Sequence, residues 1–180
     1  MTLSGVNSFD WHLSRLEVDT DIKPFKSNDA DLNNFLFDDA KKYLEQRLAV
    51  TFLIENEYAT IAYFCLSNDA VLRSLSDKTG WKKIKKTIPN AKMRSSYPAV
   101  KIGRLAVDTQ YKCNGFGRFM IEIVRTKFLS ETQTAGCRFI TVDAKQNAVD
   151  FYLRNHFDFL TAGDENDATR LMYFDLNSIP

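Results

Sequence analysis

Residues 99–128 restrict the fold more than any other stretch of the chain. Ala99-Val100-Lys101-Ile102-Gly103-Arg104-Leu105-Ala106-Val107-Asp108 grows fully apolar toward its end, as a central, buried strand does. After a short polar loop, Phe116, Phe119, Met120, Ile123, Val124 and Phe128 recur at three- and four-residue spacing, which predicts one apolar stripe along a helix. Gly136 is a candidate terminator of that helix. A buried strand that feeds a helix packed back onto it needs a layered domain with helices against a sheet.

The joint between strand and helix is Lys112-Cys113-Asn114-Gly115-Phe116-Gly117. Glycine at a helix entrance permits positive φ and close approach of a ligand to the backbone. The first amides of a helix lack intrahelical partners and carry the positive end of the helix dipole. Together they form a site suited to phosphate or pyrophosphate, and Lys112 and Arg118 add full charges beside it. A nucleotide P-loop would continue Gly-Lys-Ser/Thr, and no such run is present. A dinucleotide fingerprint needs a third glycine where Met120 stands. Taken alone, the two glycines leave open the plainer reading that they only ease a tight turn.

The rest of the chain supplies further elements. Residues 11–18 alternate weakly as a first strand, and Leu32, Phe35, Leu36, Ala40, Tyr43 and Leu44 predict a helix behind the candidate caps Ser27, Asn28 and Asp29. Runs 49–55 and 60–67 flank Asn56-Glu57 and predict an antiparallel hairpin. Trp81, Ile84 and Ile88 predict a short basic helix before Pro89. Residues 138–144 read as a second buried strand, about 147–154 as a short helix, and 157–160 and 170–174 as closing strands around the turn 163–167. The order predicts one α/β or α+β domain with a mixed sheet.

Net charge is +1, so the whole-molecule field selects neither nucleic acid nor membrane. No apolar run approaches the roughly 20 residues of a membrane-spanning helix, and Met1-Thr2-Leu3-Ser4-Gly5 does not open a secretory signal. Cys65, Cys113 and Cys137 form no CxxC pair, which fits a reduced, cytoplasmic protein. Two isolated histidines, His12 and His156, give no metal-site spacing.

With its strand and loop in place, the sequence resembles the GCN5-related N-acetyltransferase (GNAT) superfamily. That family holds CoA pyrophosphate with Gln/Arg-x-x-Gly-x-Gly/Ala, and here Lys112 stands first, followed by Gly115 and Gly117. Gly103-Arg104-Leu105-Ala106-Val107-Asp108 is similar to the family's pantetheine-pairing strand. Downstream, Ala148, Phe151, Tyr152 and Phe157 match a second family pattern, with Lys145 at its usual Asn and His156 at its usual Gly. The resemblance implies a single domain over 1–180, with a mixed, mostly antiparallel sheet of about six or seven strands flanked by helices and splayed at its centre. It implies acetyl-CoA as acyl donor, gripped by Leu105, Ala106, Val107, Lys112, Cys113, Asn114, Gly115, Phe116, Gly117 and Arg118. Many such enzymes form homodimers. Phe25-Lys26-Ser27 and Asp31–Leu36 also resemble the branch of toxin–antitoxin acetyltransferase toxins that acetylate aminoacyl-tRNA.

The implied reaction is direct transfer of an acetyl group to a primary amine, driven largely by orientation. Amides near Val107 are placed to polarise the carbonyl. By resemblance Tyr152 donates a proton to the leaving thiolate; the plain alternative is a core ring. Asp108, Glu17 and Glu122 are candidate bases by chain position only, and a water chain serves equally. Cys113 is read as a small loop residue, since no activating base is tied to it.

Lys78, Lys82, Lys83, Lys85, Lys86, Lys92 and Arg94 occur with no acidic residue among them. Lys82, Lys83, Lys85 and Lys86 either meet tRNA phosphates, with Trp81 and Tyr97 stacking on bases, or form a solvated helix face. Three functions stay open: an N-acetyltransferase with an unspecified amine, a tRNA-acetylating toxin, and a non-catalytic CoA-binding or interaction module.

Overall fold

The computed structural model describes residues 10–88, 94–129 and 135–178. Strand β1, His12–Arg15, is followed by a long helical segment. Asp29 caps it by accepting from the amide of Asp31, as a short acidic side chain does at a helix start. The segment is α1 (Ala30–Asn34), a π turn (Phe35–Asp39) and α2 (Ala40–Glu45). The π turn closes with the amide of Ala40 on the carbonyl of Phe35. It inserts one residue into the helical repeat. Phe35, Leu36 and Ala40 are buried, whereas Tyr43 of the expected stripe is exposed.

Strands β2 (Val50–Glu55) and β3 (Thr60–Leu72) form the expected hairpin. Its turn is held by Asn56, whose side-chain oxygen accepts from the amides of Tyr58 and Ala59 at 2.9 and 2.8 Å. Strand β3 runs five residues past the expected end at Ser67. Its polar continuation is satisfied within the sheet, because Asp69 accepts a hydrogen bond from the Thr141 hydroxyl. A 3-10 turn, Arg73–Leu75, leads into α3 (Lys78–Lys86), then β4 (Ser96–Val107).

A 3-10 turn, Thr109–Tyr111, follows β4 and precedes α4 (Phe116–Leu129). The remaining elements are β5 (Phe139–Lys145), a 3-10 turn Gln146–Ala148, α5 (Val149–Arg154), β6 (Asp158–Phe159) and β7 (Thr169–Asp175). The described part of α4 ends at Leu129, so the terminator expected at Gly136 lies beyond an undescribed stretch. The closing strand expected over 157–160 is only two residues long, set against Tyr173 and Met172 of β7.

Among the described residues seven strands order as β1-β2-β3-β4-β5-β7-β6, a mixed sheet. Neighbours β1–β2, β2–β3, β5–β7 and β6–β7 are antiparallel, and β4–β5 are parallel. The β4–β5 ladder holds only Ala99–Lys101 against Phe139–Thr141, whereas β5 pairs with β7 over its whole length.

The chain divides into two compact units, Met1–Ser67 with Gly103–Val124, and Asn68–Ile102 with Arg125–Pro180. In the first, Leu16, Phe35, Leu36, Leu53, Tyr63 and Ala106 share a core. Tyr63 is fixed there by its hydroxyl, which donates to the carbonyl of Leu32 at 2.7 Å. In the second, Val71, Trp81, Ile84, Tyr97, Phe139 and Tyr173 do the same.

Candidate active site

The loop between β4 and α4 belongs to the first unit. Helix α4 takes its first intrahelical bond from the amide of Phe119 to the carbonyl of Gly115, 3.0 Å. Gly115 is therefore the N-cap, and the amides of Phe116, Gly117 and Arg118 are left over by the helix itself. They find no acceptor among the described residues. Three N–H groups at the positive end of a helix with 14 described residues are chemically suited to an anion without any side chain. Phe116 is buried and meets Tyr111 edge to face, which anchors the first turn from beneath.

Gly115 takes φ 84°, the left-handed conformation that glycine was expected to supply. Gly117 does not: it sits inside the first helical turn. The second left-handed residue is Cys113, at φ 63°. The chain thus reverses twice, at Cys113 and Gly115, before the helix begins. Nothing in the residue type of Cys113 announces this. Cys113 is exposed, as are Lys112, Gly115 and Arg118.

The strand end before the loop is tied down by Asp108. Its carboxylate accepts from the amides of Lys26 at 2.7 Å and Gln110 at 2.8 Å. Its own amide donates to the carbonyl of Ile61 at 2.8 Å. Both carboxylate oxygens are committed and the residue is buried, so Asp108 is a structural strap rather than a general base. Glu17, another candidate base, is exposed and pairs with Arg15 at 3.7 Å. Leu105 and Val107 point to one face of β4 and are half-buried, whereas Ala106 on the other face is buried. The expectation of a strand buried on both faces is met on one face only.

Arg104 reaches back from β4 to the first helix. Its guanidinium lies 5.2 Å from the ring centre of Phe35 and 3.4 Å from the Asp31 carboxylate. Cys65, in the same core, has its thiol pushed up by burial and stays protonated.

Tyr152 belongs to the second unit, on α5. It is only 6% exposed, with Phe151 and Phe157 edge to face at 5.1 and 5.2 Å. Burial pushes its phenol well above the ordinary tyrosine value, so the hydroxyl keeps its proton at physiological pH. That hydroxyl makes no hydrogen bond with a described residue, yet it is not among the fully enclosed polar atoms lacking a partner.

The position of Tyr152 is set by how α5 ends. The amide of His156 donates to the carbonyl of Leu153 at 2.9 Å, and that of Phe157 to the carbonyl of Tyr152 at 3.0 Å. This paired pattern is a Schellman motif. It requires a left-handed residue at His156, which adopts φ 62° where glycine is the usual choice. Arg125 of α4, unnoticed in the sequence, clamps the same corner. It is buried, donates to the carbonyl of Asn155, and lies 4.0 Å from the ring centre of Phe174. A charged residue one position after Val124 in an amphipathic helix reads as surface, so its burial left no signal in the pattern.

The basic helix α3 forms as expected, capped by Asp77, which accepts from the amide of Gly80. Trp81 and Tyr97 are buried against each other, 5.4 Å between ring centres, so neither ring is free to stack on a base. Lys83 pairs with Asp158 at 2.8 Å. Lys92 lies outside the described residues.

Residues 82–175 match the acetyltransferase (GNAT) domain family. Among solved structures, a bacterial toxin superposes with a TM-score of 0.79 at 15% identity, covering 94% of this chain and 92% of that one. AtaT complexed with acetyl-methionyl-tRNAfMet superposes with a TM-score of 0.77 at 22% identity, covering 94% and 97%. A tyrosine-to-phenylalanine mutant of KacT gives 0.74 at 22%, covering 93% and 96%. At these identities the likeness establishes the fold. No curated protein sequence matches the chain.

Proposed function

The chain belongs to the GNAT acetyltransferase family, and from that premise we propose that it transfers the acetyl group of acetyl-CoA directly to a primary amine. The observation that carries this reading is the cluster of unclaimed amides at Phe116, Gly117 and Arg118 behind the left-handed Gly115. Those amides fit the CoA pyrophosphate, with Lys112, Cys113 and Asn114 completing the loop. The half-open face of β4 at Leu105 and Val107 suits the pantetheine arm.

In the reaction a neutral amine attacks the thioester carbonyl carbon and the carbon–sulfur bond breaks. Amides near Val107 support the oxygen as it gains charge. By the family resemblance the departing thiolate takes a proton from Tyr152, which burial keeps protonated and which recovers a proton from water to close the cycle. The proton lost by the amine leaves through water. Asp108 is committed to backbone amides and Glu17 lies at the surface paired with Arg15, so neither is suited to that step.

The acceptor that the neighbours favour is the amino group of an aminoacyl-tRNA. AtaT has been solved with acetyl-methionyl-tRNAfMet, and a tyrosine-to-phenylalanine mutant of AtaT with the C-terminus of the antitoxin AtaR. On this reading the chain is a toxin with an antitoxin partner. The three free thiols support a reducing, cytoplasmic compartment. The coverage of the solved folds supports residues 1–180 as one N-acetyltransferase domain.

The test is thiol release from acetyl-CoA against polyamines, peptides and charged tRNAs. Charged tRNA should be the acceptor turned over, and Tyr152→Phe should cut turnover by on the order of a hundredfold while acetyl-CoA affinity holds. Full turnover by Tyr152→Phe on the same acceptor removes Tyr152 from the mechanism. Acetyl-CoA binding without release on any amine favours a non-catalytic module.

A further inference from the structure

Helix α3 has two faces with different fates. One is docked. Gly80 lies so close to the carbonyl of Leu160 that an added Cβ would stand 2.4 Å from its oxygen. Asp77 accepts from the amides of Gly80 at 2.6 Å and Ala162 at 3.0 Å. Lys83 pairs with Asp158 on the same side. The other face, with the 3-10 turn Arg73–Leu75, lines a cavity of about 430 Å³. Its cations are Arg73, Lys78, Lys82, Lys85 and Lys86, all exposed and none paired with a carboxylate among the described residues. The one acid at its wall is Asp77, whose oxygens are occupied by amides that hold its carboxyl below the usual range.

We infer that this cavity seats the phosphodiester backbone of RNA, with Lys78, Lys82, Lys85, Lys86 and Arg73 contacting phosphates and Lys83 taking no part. The inference rests on the aminoacyl-tRNA reading and adds where the RNA body is held. Three features select a phosphate chain over a single anion. Lys78, Lys82 and Lys86 succeed one another about 6 Å apart along the helix axis, a spacing similar to that of successive phosphates in a strand. Lys85 and Arg73 broaden the row into a trough. With Trp81 and Tyr97 buried, the trough offers charge without exposed rings, which is recognition of backbone rather than of bases.

The experiment measures binding of charged and uncharged tRNA by fluorescence anisotropy between about 50 and about 200 mM salt. It uses the full chain, a Lys82→Ala/Lys85→Ala/Lys86→Ala variant and Lys83→Ala. Alanine is a good helix former, and all four side chains are exposed, so α3 should persist; thermal melting and acetyl-CoA affinity check this. The triple variant should lower the log–log salt slope by about 2 to 3 and raise Kd by on the order of a hundredfold near 0.1 M salt. Lys83→Ala should change Kd by less than about twofold, because its charge is already matched.

If the wild-type chain acetylates charged tRNA and the triple variant binds that tRNA with an unchanged slope, this inference falls and the acceptor reading stands. Equal losses from Lys83→Ala also overturn it, since they would mean a diffuse patch. If the triple variant loses affinity for a polyglutamate peptide but not for tRNA, the trough is a protein site and the inference fails. If the wild-type chain neither binds nor acetylates tRNA yet releases thiol on a small amine, the acceptor reading falls and takes this inference with it.

Discussion

Replacing His156 by glycine should stabilise the protein. His156 occupies the left-handed position of the Schellman motif that ends α5, at φ 62°. An L-residue with a Cβ pays about 1–2 kcal/mol to hold that conformation. Glycine removes this strain but loses more freedom on folding, about 0.5–1 kcal/mol. The imidazole is exposed and makes no hydrogen bond with a described residue, so little contact energy is lost with it. The net expectation is a gain of about 0.5–1 kcal/mol, or roughly 1–4 °C in Tm for a chain of this size. Urea denaturation measures the first and calorimetry the second. His156→Ala is the control, since it removes the ring but keeps the Cβ, and it should give no gain. Equal stabilisation by alanine, or a loss with glycine, would refute the backbone-strain argument. It would also show that the imidazole makes a contact the geometry does not reveal.

Gly80→Ala should have the opposite sign. Helix propensity alone favours alanine by about 1 kcal/mol, but the new Cβ would stand 2.4 Å from the Leu160 carbonyl oxygen. Displacing α3 should leave a net loss of about 1–2 kcal/mol in urea denaturation, and a net gain would show that α3 is not docked this closely. Arg125→Met keeps bulk but abandons the Asn155 carbonyl and the Phe174 ring face. It should cost about 2–4 kcal/mol and speed amide exchange at Asn155, His156 and Phe157; unaltered exchange there would mean that the clamp does not hold the corner.

What the residues determined unaided was whatever depends on near neighbours in the chain. The apolar repeat of α4, the turn at Asn56, the cap at Asp29 and the glycine at φ 84° are set by interactions within a few positions, and so they were legible. Membership of the family was legible for the same reason, because its patterns are short runs of neighbouring residues within the matched span 82–175. The tertiary structure alone decided which of several equivalent side chains is free. Lys82 and Lys83 are indistinguishable as neighbours in a basic helix, but one faces a cavity and the other faces Asp158. Trp81 and Tyr97 read as available rings until packing buried them together. Arg125 read as surface until Asn155 and Phe174 closed over it. Cys113 adopts a left-handed backbone that no property of cysteine favours, imposed by the two ends that the loop must join. Each of these outcomes depends on partners brought together by the fold, and a periodicity along the chain carries no information about such partners.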